Sequence, residues 1–165
     1  MSLQMTFIDM NNSNLHAVAG GITGTLALTA IHQTLKQFVP YAPKVDRLGM
    51  QAIAKGLHQA GQQAPSEQTL FGLSLAGDLI SNSTYYTMVG KGKPEHVWYR
   101  GIVLGAAAGL GSIFLPGPMG LNESYTKRTL KTELLTFGIY LAGGLIAAAT
   151  VNYLHRREKD KHQLH

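Results

Sequence analysis

Four long apolar stretches dominate this chain of 165 residues and limit the folds that it can adopt. They cover residues 15–38, 68–90, 98–121 and 132–154. Residues 101–122 and 134–154 contain no charged side chain, and residues 15–35 contain none if the histidines are neutral. A helix needs about 20 predominantly apolar residues to cross the hydrocarbon core of a bilayer. The pattern therefore predicts an all-α membrane protein with four transmembrane helices, folded as a single domain over residues 1–165.

The segment between the first two stretches, residues 44–60, has the pattern of an amphipathic helix. Apolar or small residues recur at helical spacing, at Val45, Leu48, Gly49, Ala52, Ile53, Gly56, Leu57 and Ala60. Polar side chains take the other face, and Lys44, Arg47 and Lys55 among them are candidates for contact with lipid headgroups. We expect this helix to lie in the membrane interface with its apolar face down, although the pattern also fits a lid over the bundle.

The charge of the chain indicates lipid contact and not nucleic-acid binding. The formal net charge is +5, but the basic residues flank the apolar stretches, where they meet anionic headgroups. The 14 Lys and Arg residues divide equally between the two sides of a four-span chain, so they predict no orientation. We therefore expect the lipid bilayer as a partner and no nucleic acid. We also expect residues 155–165 to form a mobile basic tail beyond the last helix.

Several kinds of reactive site are missing from the sequence. The chain has no cysteine, which excludes disulfides, thiolate catalysis and cysteine-ligated metals. It contains no phosphate-binding loop, dinucleotide fingerprint, GxSxG elbow or HExxH motif. A metal site built from His32 and Asp78, closed by Asp46 or His58, is conceivable, but these ligands are scattered along the chain. We therefore expect no metal and no cofactor, and residues 1–14 do not have the pattern of a cleavable signal peptide.

An aspartate at the middle of the second stretch is the strongest indication of function. An ionised carboxylate in the hydrocarbon core costs roughly 2.5–3.5 kcal/mol on insertion scales, so it is seldom there by chance. On the predicted helix, a polar line on one face is formed by Ser74, Asp78, Asn82 and Tyr86. We expect this line to face the interior of the bundle or a partner, because a polar face avoids lipid.

A second polar line, on the first stretch, is predicted to lie beside the first. Its members are Gly21, Thr25, Thr29, His32 and Lys36. Consecutive spans run antiparallel, so aligning their midpoints brings Asp78 level with Thr29 and places His32 about one helical turn away. Asp78 is then either a neutral, hydrogen-bonded acid or half of an Asp–His pair.

Polar side chains in membrane helices also serve as plain interhelical hydrogen-bonding contacts. We interpret four hydroxyl side chains in that way, those of Thr25, Thr29, Ser74 and Ser81. Asn82 and His32 stay open between a packing and a functional role, whereas Asp78 is interpreted as functional, since a serine would serve packing at lower cost. Asp46 and His58 are interpreted as part of the solvated face of the amphipathic helix.

Small residues on the third stretch predict a close contact between helices. Gly101, Gly105 and Gly109 recur at a strict four-residue spacing, which lets a neighbouring backbone approach closely. The pattern does not distinguish a contact within one chain from a contact between copies. Because four spans enclose little volume, we expect a homo-oligomer packed through this face, or a membrane partner subunit.

The connections of the third stretch make two further predictions. The short link at residues 91–97 predicts that the second and third spans are antiparallel neighbours, and Trp98 and Tyr99 stand where an aromatic belt is expected. At the other end, we interpret residues 116–120 as a helix end at the membrane surface, since proline interrupts a helix. The alternative is a broken helix that lines a cavity.

Three segments of the chain carry a resemblance to a known group of proteins. They are His32, residues 42–50 (APKVDRLGM) and residues 78–86 (DLISNSTYY). In these segments the chain resembles small bacterial four-span integral membrane proteins that have no assigned activity, and the likeness extends over most of the chain. The resemblance implies a multi-pass protein of the bacterial inner or plasma membrane, and it implies no reaction or ligand.

The leading functional prediction is transport or permeation of a proton, an ion or a small polar solute. Asp78 is the predicted titrating or coordinating group, with His32 as its proton partner. The predicted polar lining of the path consists of Asn82, Thr25, Thr29, Ser74 and Tyr86. One alternative is an intramembrane enzyme that acts on a lipid or isoprenoid, with Asp78 and His32 as acid and base. Another is a non-catalytic accessory or assembly subunit whose polar line docks a partner.

Overall fold

The computed structural model of the protein describes the backbone of residues 2–163 and the side chains of residues 12–161 and 163. Every regular element in this part of the chain is helical, and no strand occurs in it. The helices are α1 (Ser2–Phe38), α2 (Val45–Gln59), α3 (Glu67–Thr87), α4 (Val97–Phe114), α5 (Ser124–Lys127) and α6 (Leu130–Gln163), with 3-10 turns at Met88–Gly90 and Pro94–His96. The prediction of an all-α fold is confirmed.

Three helical segments are long and apolar enough to cross a membrane. They are Asn12–Phe38, Pro94–Phe114 and Leu130–Lys161, which match the first, third and fourth predicted spans. The second predicted span, residues 68–90, is helical as α3, but it is not among these apolar segments. The three segments are consistent with a membrane protein, and a crossing by α3 stays a prediction.

Prolines determine where two of the long helices end. α1 ends shortly before Pro40 and Pro43, because proline has no N–H to donate and its ring clashes with the preceding turn. α4 ends at Phe114, before Pro116. Residues 116–120 form turns, so the predicted helix end at this point is confirmed and the alternative of a broken helix is not observed.

α6 is the central helix and packs between α1 and α4. Its contact with α1 is made at glycines, where the two main chains approach each other without side chains between them. A β-carbon at Gly24 would lie 2.6 Å from the carbonyl oxygen of Gly143, and one at Gly20 would lie 2.9 Å from that of Ala147. As the residue number rises along α1 it falls along α6, so the two helices run antiparallel.

The three glycines of α4 form its contact with α6. A β-carbon at Gly101 would lie 2.7 Å from the carbonyl oxygen of Gly144, and one at Gly109 would lie 3.0 Å from the Cα of Phe137. Gly105 lies buried between them on the same face. The predicted close contact is confirmed, but it joins two helices of one chain. The expectation that this face packs two copies is wrong, because α6 already covers it.

The chain returns through α3 from the end of α1 to the start of α4. Both α1 and α4 are antiparallel to α6, so they run in the same direction, and the chain between them must go back along the bundle. α3 does so beside α1, where Gly21 lies against the Ser83 carbonyl and the Thr87 side chain. The predicted antiparallel pairing of the first two stretches is therefore present.

α3 and α4 do not pack closely along their lengths, although a short connection joins them. A cleft lies between them, and Tyr140 of α6 contributes to its wall. The predicted antiparallel direction of the second and third spans is present, and Tyr85 Oη donates to the main-chain oxygen of Leu104 at 2.9 Å. The two helices flank the cleft and do not pack face to face, because α4 turns its small-residue face to α6.

α2 lies across the end of the bundle where α1 and α4 terminate. At one end of α2, Asp46 pairs with Lys36 of α1, and at the other, Lys55 Nζ donates to the main-chain oxygen of Met119 at 2.6 Å. Met50, which falls outside the predicted apolar stripe, is buried at 7% exposure. The apolar stripe itself lines the cleft, through Val45, Leu48, Gly49 and Ala52. α2 thus has the position of a lid, the alternative to the interfacial placement that we expected.

The last helix extends further than predicted. α6 continues to Gln163, so residues 155–163 are helical and not a separate tail. This extension packs against the first part of α1, where Asn12 Nδ2 donates a hydrogen bond to Glu158 Oε1. Closer to the centre of the bundle, Thr23 Oγ1 donates to Thr150 Oγ1 at 2.9 Å.

Large apolar side chains cover much of the outside of the bundle. One face of α1 has exposed fractions between 45% and 59% at Leu15, Val18, Ile22 and Leu26. An apolar surface of this kind is typical of a helix that faces lipid. At one end of the bundle Trp98, Tyr99 and Tyr153 are also exposed, as in an aromatic belt.

A matched pair of glycines on α6 tests the central packing. A β-carbon at Gly144 would lie 3.0 Å from the Cα of Gly105 and closer still to the Gly101 oxygen, whereas one at Gly138 meets no atom within 4 Å. We expect Gly144→Ala to lower the free energy of unfolding by about 1–3 kcal/mol through overpacking. Gly138→Ala is expected to be neutral or to stabilise by up to about 1 kcal/mol through helix propensity. Thermal unfolding in detergent measures both, and equal effects would contradict this packing.

Candidate functional site

The two ends of the polar line on α3 are packing contacts. Ser74 is 3% exposed, and its Oγ donates to the main-chain oxygen of Asp46 at 3.2 Å, which fastens α2 to α3. Tyr86 is fully buried, its hydroxyl donates to the main-chain oxygen of Tyr140 at 2.7 Å, and its ring rests on Gly143. Neither side chain is free to contact a solute.

The middle of the polar line reaches a small enclosed cavity between α1, α2, α3 and α6. The cavity has a volume of about 20 Å³. Its polar lining consists of Thr29, His32, Gln33, Asp46, Asp78, Asn82, Thr136 and Tyr140. A water molecule needs about 10–15 Å³ and two to four polar partners, so the cavity has room for one. Thr29, His32 and Asp78 share this cavity, as the alignment of span midpoints predicted.

His32 is held in one orientation by the segment that joins α1 to α2. Its side chain is 5% exposed, and Nε2 lies 2.9 Å from the main-chain oxygen of Pro43. A carbonyl only accepts, so Nε2 is the donor and carries the proton. In the neutral ring Nδ1 is then an acceptor.

Asp46 belongs to this site and not to the solvated face of α2, so its predicted role is corrected. Its Oδ2 lies 2.5 Å from Lys36 Nζ, and its side chain is only 12% exposed. Its Oδ1 is buried and accepts no hydrogen bond from the described residues. The chain reversal at Pro40 and Pro43 brings the first turn of α2 onto the last turn of α1. Helical periodicity alone does not indicate that reversal. His58, the other residue assigned to the solvated face of α2, is exposed as predicted.

Asp78 lies between two volumes and has no fixed partner in the described part of the chain. Its carboxylate makes no ion pair there and receives no hydrogen bond, so a direct Asp78–His32 pair is not observed. The two other cations considered for it are engaged elsewhere. Lys36 pairs with Asp46, and Arg100 Nε donates to the main-chain oxygen of Val89 at 2.8 Å.

The second volume beside Asp78 is the cleft between α3 and α4. It measures about 520 Å³ and is much wider than the enclosed cavity. Its polar wall contains Asp78, Ser81, Asn82, Tyr85, Ser112 and Tyr140. The rest of its lining is mainly apolar and comes from α2, α4 and the turns after α4. Four residues line both volumes and form the boundary between the cleft and the cavity: Val45, Asp78, Asn82 and Tyr140.

Two further predictions concern residues outside this boundary. Thr25 is fully buried and neither volume includes it, but its Oγ1 makes no hydrogen bond to the described residues, so the predicted interhelical hydrogen bond is not observed. Of the headgroup candidates, Lys55 donates to the Met119 carbonyl, and Arg47 pairs with Glu67 at the surface. Lys44 is exposed just before α2. Its main-chain N–H donates a hydrogen bond to the main-chain oxygen of Tyr125.

Comparison with known proteins adds no assignment. No family model matches the chain, and neither the curated proteins nor the solved structures include one that matches it. The resemblance to small bacterial membrane proteins therefore stays a prediction.

Cysteine labelling tests whether the cleft contains water, and the cysteine-free chain provides the background. Ser112 lines the cleft, whereas Ile80 lies on the opposite face of α3 and is 71% exposed to the surroundings of the bundle. In nanodiscs we expect Ser112→Cys to react with a charged thiol reagent about tenfold or more faster than Ile80→Cys, because the reacting thiolate forms in water. Equal labelling rates would show that the cleft has no separate hydration.

Proposed function

We propose that the protein is an integral membrane protein that crosses the bilayer four times, through α1, α3, α4 and α6. The parallel arrangement of α1 and α4 supports the fourth crossing. If both of them span, the chain must return across the membrane between them, and α3 is the element that connects their opposite ends.

The side-chain distribution on α3 supports the same proposal. Asp78 and Asn82 turn towards the cavity and the cleft, where their polar groups are sheltered from lipid. The opposite face presents Leu73 and Ile80, which are 48% and 71% exposed. A helix with low average hydropathy can span a membrane when its polar face lines a cavity in this way.

The proposed activity is permeation of a proton or a small cation past Asp78. The observation that carries it is that Asp78 is common to the wide cleft and to the water-sized cavity. Beyond the cavity the polar groups continue through His32 and Asp46 to Lys36. A surface groove of about 290 Å³ includes Lys36 and Asp46 at that end of the bundle. Titratable groups therefore lie between the cleft and this groove, and both of these volumes border α2.

The dimensions of the cavity favour a proton over a larger solute. A volume of about 20 Å³ admits one water and excludes a hydrated ion or an organic molecule. A proton needs only hydrogen-bonding groups and water along its way. Asp78 is the exchanging acid in this proposal. Beyond the water, His32 Nδ1 and the unbonded Oδ1 of Asp46 are the available acceptors, and from Asp46 the proton leaves to water in the groove beside Lys36.

A second candidate activity, an enzyme that acts on a lipid or isoprenoid, draws support from the cleft. Its apolar walls and its volume of about 520 Å³ suit an acyl or prenyl chain, with the head beside Asp78. His32, the expected partner base, lines the enclosed cavity and not the cleft, which weakens the acid–base pair that this activity requires. Mass spectrometry of the purified protein tests this candidate, since a stoichiometric lipid that is lost in Asp78→Asn would favour it.

The wider setting is also proposed. A bacterial inner-membrane location is an implication of the resemblance. A homo-oligomer or a membrane partner subunit remains compatible with the exposed apolar faces of α1 and α4, although not with the glycine face that α6 covers.

Flux through proteoliposomes tests the leading proposal. We expect Asp78→Asn to reduce proton flux, followed with an entrapped pH dye, to the level of protein-free liposomes, because an amide cannot exchange the proton. Glu67→Gln is the matched control, since it removes a surface carboxylate from the same helix, and it should retain the flux. Circular dichroism and thermal unfolding should be unchanged in both variants. Unchanged flux in a folded Asp78→Asn protein would refute the proposal.

A further inference from the structure

Three potential metal ligands meet at the end of the bundle opposite to α2. His16 lies on α1, and His155 and Glu158 lie three residues apart on the extension of α6. The three side chains are half-buried. Sequence patterns do not indicate this cluster, because the charges of residues 155–165 predict a mobile basic tail and His16 is far from them along the chain.

Two distances in the cluster are close to those between ligands of one metal ion. His16 Nδ1 lies 3.4 Å from His155 Nδ1 and 3.7 Å from Glu158 Oε2, and one ligand atom from each residue falls within 4.8 Å of the others. Ligands about 2.0–2.1 Å from a tetrahedral zinc ion are about 3.3 Å from one another. The three groups would therefore close on an ion with movements of a few tenths of an ångström to about one ångström.

The spacing of the two rings is also compatible with a shared ion. The imidazoles stand edge to face, with an interplanar angle of 87° and centroids 4.9 Å apart, close to the separation that two imidazoles on one tetrahedral ion would have. Without an ion, the distance between the Nδ1 atoms fits one hydrogen bond between two neutral rings, with the Glu158 carboxylate beside them. A cation between the three side chains would accept an electron pair from each of them.

Asn12 supplies the outer hydrogen bond that metal ligands usually have. Its Nδ2 donates to Glu158 Oε1, which leaves Oε2 as the oxygen on the side of His16. Outer partners of this kind fix the orientation of a ligand and commonly change metal affinity 10–100-fold. The electrostatic influence of Arg100 and Lys159 on His155 opposes a bound dication, and the Glu158 carboxylate offsets part of it.

We propose that His16, His155 and Glu158 bind a divalent transition-metal ion, with Zn²⁺ as the expected occupant. Two imidazole nitrogens and one carboxylate oxygen are a ligand set that zinc accepts, and three protein ligands leave a fourth position for water or an external ligand. The ion would join the start of α1 to the end of α6. The site is independent of the Asp78 path, because the two lie at different levels of the bundle.

Calorimetric titration of the full chain with Zn²⁺, produced without a histidine tag, tests the site. We expect one ion per chain, and we expect His16→Gln and His155→Gln each to weaken binding more than about 100-fold, since a lost ligand should cost at least as much as a lost outer partner. The double variant His162→Gln, His165→Gln is the matched control, because it removes two further histidines near the same terminus and should leave the affinity unchanged. Circular dichroism verifies that each variant keeps its helices.

Two additional measurements distinguish coordination from adventitious surface binding. Co²⁺ in place of Zn²⁺ should give the intense visible absorption of a four-coordinate ion, and Asn12→Ala should weaken Zn²⁺ binding about 10–100-fold. Zinc should also raise the thermal unfolding temperature of the unaltered chain and not that of His16→Gln. Binding that depends on His162 and His165 instead, or a weak cobalt spectrum of six-coordinate type, would overturn the proposal.

Discussion

The close approach of α6 to both α1 and α4 is the constraint on which the rest of the structure depends. Backbone meets backbone at Gly24, Gly143, Gly101, Gly144 and Gly105. In a membrane, where lipid is as apolar as leucine, such small-residue contacts are a main source of helix association. α4 turns its small-residue face to α6 and does not pack along α3, and the cleft beside Asp78 lies between these two helices.

The segment between α1 and α3 then converts an open bundle end into a closed one. His32 Nε2 donates a hydrogen bond to the Pro43 carbonyl, and Lys36 Nζ donates one to Asp46 Oδ2, so α2 is fixed at its first turn. Its other end rests on the turns after α4 through Lys55. His32 and Asp46, which hold the lid, also line the cavity below it.

Much of the fold follows from patterns that are local in sequence, and most of the errors involve contacts that are not. Apolar run length and four-residue glycine spacing predicted the helices and a close contact for α4. They did not identify the partner, since Gly101, Gly105 and Gly109 suit a neighbour in the same chain as well as one in another copy. Asp78 could be predicted as a site residue because an ionised carboxylate in the hydrocarbon core costs free energy. Asp46, also part of the site, was missed because its burial arises from a chain reversal and not from a period.

The unequal lengths of the helices give the molecule two different ends. α6 has 34 residues, whereas α4 has 18. At 1.5 Å per residue α6 is about 50 Å long, well beyond the 30 Å or so of the hydrocarbon core. Since α6 begins near the end of α4, its excess length projects with the start of α1 as a two-helix stalk. If α6 crosses the bilayer, the part of it that carries Arg156, Arg157 and Glu158 therefore lies beyond the lipid tails, beside the start of α1.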